Sequence, residues 1–106
     1  MGSITALDEL EAHAARASAL LKAMSNERRL MILCNLLQGE KSVGELEKAV
    51  GLSQSALSQH LARLRRDRLV RTRRSAQTIY YSLKGGDAVA VMETLYRLFC
   101  SDEAAV

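Results

Sequence analysis

A mainly helical single domain carrying one β-hairpin is the fold class that the sequence predicts, and three observations predict it. Apolar residues make up 48% of the 106 residues, aromatics make up 4% and proline is absent. The core must therefore be built from Leu, Val, Ile, Met and Ala, a helix-favouring set. Apolar positions recur at helical spacing in successive segments. Before the last of these, Leu69-Val70-Arg71-Thr72-Arg73 and Thr78-Ile79-Tyr80-Tyr81-Ser82-Leu83 are β-branched and aromatic runs, which read as an antiparallel pair. No linker rich in Gly, Ser or Pro divides the chain, so one domain spans residues 1–106.

The elements follow in order. Leu7, Leu10, Ala14, Ala17, Leu20, Leu21 and Met24 define a first amphipathic helix over residues 5–24. Ser25 or Asn26 caps a second, which carries Leu30, Leu33, Cys34, Leu36 and Leu37, stops near Gly39 and has an apolar face wide enough to be central. Ser42-Val43-Gly44-Glu45 is a capping box, in which hydroxyl and carboxylate each satisfy a free backbone N–H. It opens a short third helix ending at Gly51. Ser53 caps a fourth from Gln54 to Asp67. The strands 69–73 and 78–83 join through Arg74-Ser75-Ala76-Gln77, a tip without glycine, and a last helix runs over residues 86–100 with Val89, Met92, Leu95, Tyr96 and Phe99 on one side.

Charge is unevenly distributed. The net charge of the chain is +3, yet residues 61–74 hold seven arginines (Arg63, Arg65, Arg66, Arg68, Arg71, Arg73 and Arg74) against the single Asp67. A solvated surface mixes its signs, so a block of this kind points to an anionic partner such as nucleic acid, although a solvated charged face is the plain alternative. The adjoining segment favours nucleic acid. In the fourth helix Leu57, Leu61 and Leu64 form an i, i+4, i+7 stripe for the core, which turns Ser55, Ser58, Gln59, Ala62 and Arg66 outward. Short hydrogen-bonding side chains and cations suit base edges and phosphates. Two helices joined by the Gly51 turn make a helix-turn-helix over residues 42–67, and the hairpin over 69–83 becomes a basic wing beside it. A domain this small cannot cover the apolar faces of its first and last helices, so a homodimer through residues 5–24 and 86–100 is expected, presenting two reader helices to a pseudo-palindromic site in double-stranded promoter DNA.

Other chemistries find little support. Ser58 and His60 are two apart on one helix and do not face each other, Gly51-Leu52-Ser53-Gln54-Ser55 misses the nucleophile-elbow pattern, and no Gly-rich phosphate loop occurs. His13, Cys34, His60 and Cys100 lack the spacing of a zinc cluster. No catalytic residues, metal or cofactor are expected. A thiol-dependent redox enzyme and a protein-binding winged-helix module remain as rivals. The N-terminus shows no secretory signal, Met1-Gly2-Ser3-Ile4-Thr5-Ala6 fails the myristoylation pattern, and no apolar run is long enough to span a membrane, so a cytoplasmic location is expected.

The chain resembles the ArsR/SmtB family of bacterial winged-helix repressors. The resemblance rests on Leu20-Leu21-Lys22-Ala23-Met24-Ser25-Asn26-Glu27-Arg28-Arg29-Leu30, Ser42-Val43-Gly44-Glu45-Leu46, Leu52-Ser53-Gln54-Ser55-Ala56-Leu57-Ser58-Gln59-His60-Leu61 and Gln77-Thr78-Ile79-Tyr80-Tyr81-Ser82-Leu83. It implies a dimeric repressor that leaves its promoter when an inducer binds. It further implies that Gln54, Ser55, Ser58, Gln59, His60 and Arg63 lie at or near the major groove, with Arg73, Arg74 and Gln77 on the wing. The family's third-helix metal site needs Cys-x-Cys where this chain has Glu45-Leu46-Glu47-Lys48, and its last-helix site needs His where residues 87–106 have none. What remains is the pair Cys34 and Cys100, which looks like the family's sulfur-responsive branch and implies a switch driven by oxidants or reactive sulfur species. Cys34 also reads as a small core hydrophobe beside Leu30, Leu33 and Leu37; the cysteines would then be structural and the inducer a different one. His60, at the edge of the leucine stripe, reads equally as packed or as a DNA contact. Tyr80 and Tyr81 read as structural.

Overall fold

The computed structural model describes residues 6–100. Thr5 at the start of the expected first helix, the segment 1–5 inspected for a lipidation pattern, and residues 101–106 of the single domain lie outside it. The elements run α1 (Ala6–Ala12), α2 (Ala14–Met24), α3 (Glu27–Leu37), β1 (Lys41–Ser42), α4 (Val43–Val50), α5 (Gln54–Arg66), β2 (Val70–Ser75), β3 (Thr78–Leu83) and α6 (Asp87–Phe99). The chain is mainly helical, with a helix-turn-helix at α4–α5 and a wing at β2–β3.

Two features depart from the sequence reading. The expected first helix is broken into α1 and α2 at His13, whose N–H bonds to Leu10 O at 3.1 Å, a tightened i−3 turn. Apolar residues keep helical spacing on both sides, so periodicity does not register a one-residue break. The hairpin also gains a third strand. Lys41 and Ser42 pair with Tyr81 and Tyr80, giving an antiparallel sheet of order β1-β3-β2. Two residues are too few to show alternation.

The core is a leucine seam. Ile32, Leu33 and Leu36 of α3 meet Leu46 and Val50 of α4, Leu57, Leu61 and Leu64 of α5, Leu69 and Val70 at the wing's base, and Ala88 and Met92 of α6, all buried. Each fully buried leucine contributes about 1.5–3 kcal/mol, and α3 is central because it packs against α4, α5, α6 and β3. Local signals fix the ends. Asn26 accepts from Arg29 N–H at 3.0 Å to start α3. Ser42 and Glu45 close the capping box at 3.1 and 2.8 Å. Gly51 turns the chain at φ 67°, a left-handed conformation that glycine adopts without strain, and Ser53 accepts from Ala56 N–H at 3.2 Å to start α5.

Helix α5 ends in a Schellman motif. Leu69 N–H bonds to Leu64 O at 2.9 Å and Arg68 N–H to Arg65 O at 3.0 Å, with Arg68 at φ 64° where glycine is usual. The wing turns through only Ala76 and Gln77, and Ala76 sits at φ 56°. A Cβ in that region costs about 1–2 kcal/mol, partly offset by the greater unfolded-state freedom of glycine. Ala76→Gly is therefore expected to stabilise the fold by about 0.5–1 kcal/mol, read as a rise of roughly 2–6 °C in Tm at fixed protein concentration. An unchanged or lower Tm would show that the turn is unstrained.

Candidate functional site

The leucine stripe that buries one side of α5 dictates what the other side shows. Gln54, Ser55, Ser58, Gln59 and Ala62 are exposed along it, while Arg63 and His60 are half-buried on the flank towards α3. Short amide and hydroxyl groups on a rigid helix, with Ala62 leaving room for close approach, form a surface matched to base edges. Ser58, Ala62, Arg65 and Arg66 also line a notch of about 470 Å³ closed by Val43 at the start of α4 and Tyr81 of β3.

The seven arginines of the basic block are not equivalent. Arg63 Nε donates to Asp67 at 2.7 Å, one turn along α5. Arg73 forks onto Glu40, Nε to Oε2 at 2.9 Å and Nη2 to Oε1 at 2.7 Å, and stacks 4.6 Å from the Tyr80 ring centroid. Arg66 lies 3.9 Å from Asp67, and Arg71 Nε reaches the Ser82 hydroxyl at 3.4 Å, a long contact. Among the described residues the guanidinium groups of Arg65, Arg68 and Arg74 engage no carboxylate. Cations available to an outside anion are thus Arg65 and the loosely paired Arg66 beside the exposed face of α5, Arg68 just past its end, and Arg74, with Gln77, at the exposed wing tip. Of the residues singled out from sequence, Arg63 and Arg73 are already engaged by Asp67 and Glu40. Sequence reading passed over Arg65, which its place in the basic block signals, and Glu40, which nothing signals because it stands 33 positions from Arg73 in the chain.

His60 packs where α5 meets the start of α3. Burial, then the nearby Arg29 and Arg28, hold its pKa below the usual 6.5. Arg29 itself spans the α2–α3 corner, with Nε donating to Ala23 O at 2.6 Å and Nη2 to Lys22 O at 3.3 Å. Burial and the neighbouring Arg63 lower its pKa, although Asp67 opposes them.

The two thiols share a second surface. Cys34 on α3 and Cys100, just past the end of α6, are both exposed and reduced, and both line an apolar groove of about 320 Å³ between the helices. Its walls are Leu30, Met31 and Leu37 on one side and Met92, Leu95 and Phe99 on the other. Cys34 is therefore not a core residue within the single chain; it points into the groove while Leu33 and Leu36 take the core positions. Among the described residues no three His, Cys, Asp or Glu side chains gather as a metal-ligand cluster, and no helix is long and apolar enough to cross a membrane.

Comparison with known proteins decides the family. The profile of the bacterial regulatory proteins of the arsR family matches residues 26–72, from the cap of α3 to the wing. The transcriptional activator HlyU of Vibrio cholerae is 60% identical over 94 residues, covering 89% of this chain and 87% of that protein. The chain belongs to the ArsR family. Solved structures agree on the fold: reduced HlyU from Vibrio cholerae has a TM-score of 0.82 at 60% identity, covering 87% of this chain and 97% of that one. The transcriptional repressor BigR from Xylella fastidiosa has a TM-score of 0.86 at 41% identity, covering 91% and 98%. As an ArsR-family member of the HlyU and BigR branch, this chain is a winged helix-turn-helix transcriptional regulator.

The depressed His60 pKa sets a pH dependence for the regulator. Between the folded pKa and 6.5 the unfolded chain binds the proton more readily, so stability is full above about pH 6.5 and is lost as pH falls through that window. His60→Gln is expected to flatten the fall in Tm between about pH 7.5 and about pH 5. If the variant and the parent lost stability in parallel, His60 would be excluded as the source.

Proposed function

We propose that this chain is a homodimeric, sequence-specific, cytoplasmic repressor without enzymatic activity, released from promoter DNA when oxidants or reactive sulfur species modify Cys34 and Cys100. The observation that carries the DNA-binding part is the exposed Ser55, Ser58 and Gln59 face of α5, flanked by the exposed Arg65 and Arg66 and a basic wing tip. That concentration of hydrogen-bonding and cationic groups favours nucleic acid over a protein partner. Gln54, Ser55, Ser58, Gln59, His60 and Arg63 are assigned to or beside the major groove and Arg74 and Gln77 to the flanking backbone, with Arg65 added. Dimerisation is supported by an apolar surface that the single chain leaves open: Leu7, Leu10 and Leu21 on α1 and α2, and Tyr96, Leu98 and Phe99 on α6, with Phe99 77% exposed. A two-fold dimer would set its reader helices one DNA turn apart, about 34 Å.

The switch is supported by the two exposed thiols on one groove. One thiolate attacks the outer sulfur of a persulfide R–S–SH, taking it as Cys–S–SH and releasing R–S⁻. The second thiolate then attacks the cysteine's own sulfur and expels HS⁻, leaving a bridge between α3 and α6. The sulfane sulfur is reduced and the two thiols are oxidised. Further sulfur atoms retained in the bridge would span a wider gap. Either product ties the α6 end to α3, which packs directly on α5, so the dimer face and the reader helix are disturbed together.

Two experiments test this reading, both with the tightest duplex selected from a random-sequence library. Arg74→Ala should weaken all duplexes together and lower the salt slope by about one per protomer, while Gln59→Ala should relax base preference at about 1–3 kcal/mol of discrimination. Failure of the wild type to enrich any duplex would refute DNA recognition. Sodium polysulfide or peroxide should lower the wild-type affinity by about tenfold or more, reversibly with dithiothreitol, and should leave Cys34→Ser and Cys100→Ser bound. Equal release of wild type and both variants would end the thiol-switch reading.

A further inference from the structure

The ion pair between Arg73 and Glu40 crosses the whole sheet. Arg73 lies on β2, an outer strand, and its register partner on the central strand β3 is Tyr80. Tyr80 is in turn the partner of Ser42 on β1, two residues after Glu40. The guanidinium therefore passes over the Tyr80 ring, 4.6 Å from its centroid, and takes both oxygens of a carboxylate at the far edge of the sheet. A planar fork meeting a carboxylate in two parallel bonds holds direction as well as distance. The hydrogen bonds from Arg73 also keep Glu40 ionised, lowering its pKa, and the carboxylate raises that of Arg73 in return.

What the strap joins gives it meaning. Ser42 is at once a residue of β1 and the N-cap of α4, bonded both ways to Glu45. From α4 the rigid Gly51 turn leads to the reader helix. A fixed link from β2 to the residue before β1 thus adds a tie between the wing and the helix-turn-helix at the sheet's outer face, beyond the two-residue strand β1 and the core packing of Leu69, Val70 and Tyr81 at the wing's base. Both side chains are largely exposed, 54% for Arg73 and 36% for Glu40, so the pair adds little to global stability and its consequence is orientation. A guanidinium whose fork is filled by a carboxylate is not offering that fork to a phosphate.

We infer that Arg73 and Glu40 are positioning residues that fix the wing's angle to the reader helix, and that Arg73 is not itself a phosphate contact. This rests on the DNA-binding reading above. The two accounts of Arg73 predict opposite signs at Glu40. If Arg73 were a phosphate ligand restrained by Glu40, Glu40→Gln would remove a negative charge from the DNA face, free the guanidinium and tighten binding. If the pair positions the wing, Glu40→Gln weakens binding although it makes the face more basic.

The test is a double-mutant cycle of Glu40→Gln and Arg73→Gln, measured with the selected duplex across a salt series and by phosphate-ethylation interference. Each single variant is expected to bind about three- to tenfold more weakly, with the double variant no weaker than either single. The salt slope should stay within less than one unit of the wild type, since no phosphate contact is lost. The interference pattern should fade at the flanking phosphates under the wing and persist under α5; a general loss of folding would fade both. Tighter binding by Glu40→Gln, additive losses, a slope lower by about one per protomer in Arg73→Gln, or uniform fading would each overturn the inference. A wild type that selects no duplex at all would instead refute the DNA-binding reading.

Discussion

The burial of Leu57, Leu61 and Leu64 against Ile32, Leu33 and Leu36 is the constraint on which the rest of this structure depends. It fixes the rotation of α5 about its own axis. With the stripe held inward, Ser55, Ser58 and Gln59 have no orientation available except outward, and the half-buried flank carrying Arg63 and His60 must lie against α3. A leucine replaced by alanine in this seam would cost about 2–5 kcal/mol, and with it the alignment of every group on the opposite face. Recognition in this family member is in that sense a consequence of packing, because the core residues decide where the polar residues point.

The arginine block illustrates how a sequence total conceals a division of labour. Seven like charges within fourteen positions would repel one another if none were engaged, and the structure distributes them. Arg63 closes on Asp67 and Arg73 crosses the sheet to Glu40, so two of the cations are held by carboxylates of the chain itself. Arg65, Arg66 and Arg74 are left beside the reader face and at the wing tip. On the inference drawn above, the carboxylate of Glu40 turns Arg73 from ligand into framework.

Much of this was legible from the sequence for identifiable reasons. The periodicity of Leu57, Leu61 and Leu64, the capping box at Ser42 and Glu45, the caps Asn26 and Ser53 and the left-handed Gly51 are local signals, each determined within a few residues, and each appears where expected. What sequence did not convey was either too short or too distant. The strand β1 has two residues and no pattern. The break at His13 leaves the apolar spacing intact. Glu40 meets Arg73 only after the sheet has formed. Cys34 is the instructive case, because its leucine neighbours made a buried position plausible, whereas its direction from α3 takes it into the groove shared with Cys100.

Helix α3 joins the two surfaces. One side supplies the core seam under α5 and the other supplies a wall of the groove that Cys34 and Cys100 share, so the covalent tie proposed at Cys34 would act on the element that supports α5. In the proposed switch, thiol state sets the spacing of the two reader helices in a dimer. The direct measurement is the distance between spin labels attached by thiol-free chemistry at Ala62 of the two protomers, before and after polysulfide treatment. The reduced free dimer and the DNA-bound dimer should share one distance distribution, compatible with reader helices about 34 Å apart, and treatment should shift it to another. A distribution unchanged by treatment, in a protein whose thiols have reacted, would contradict it.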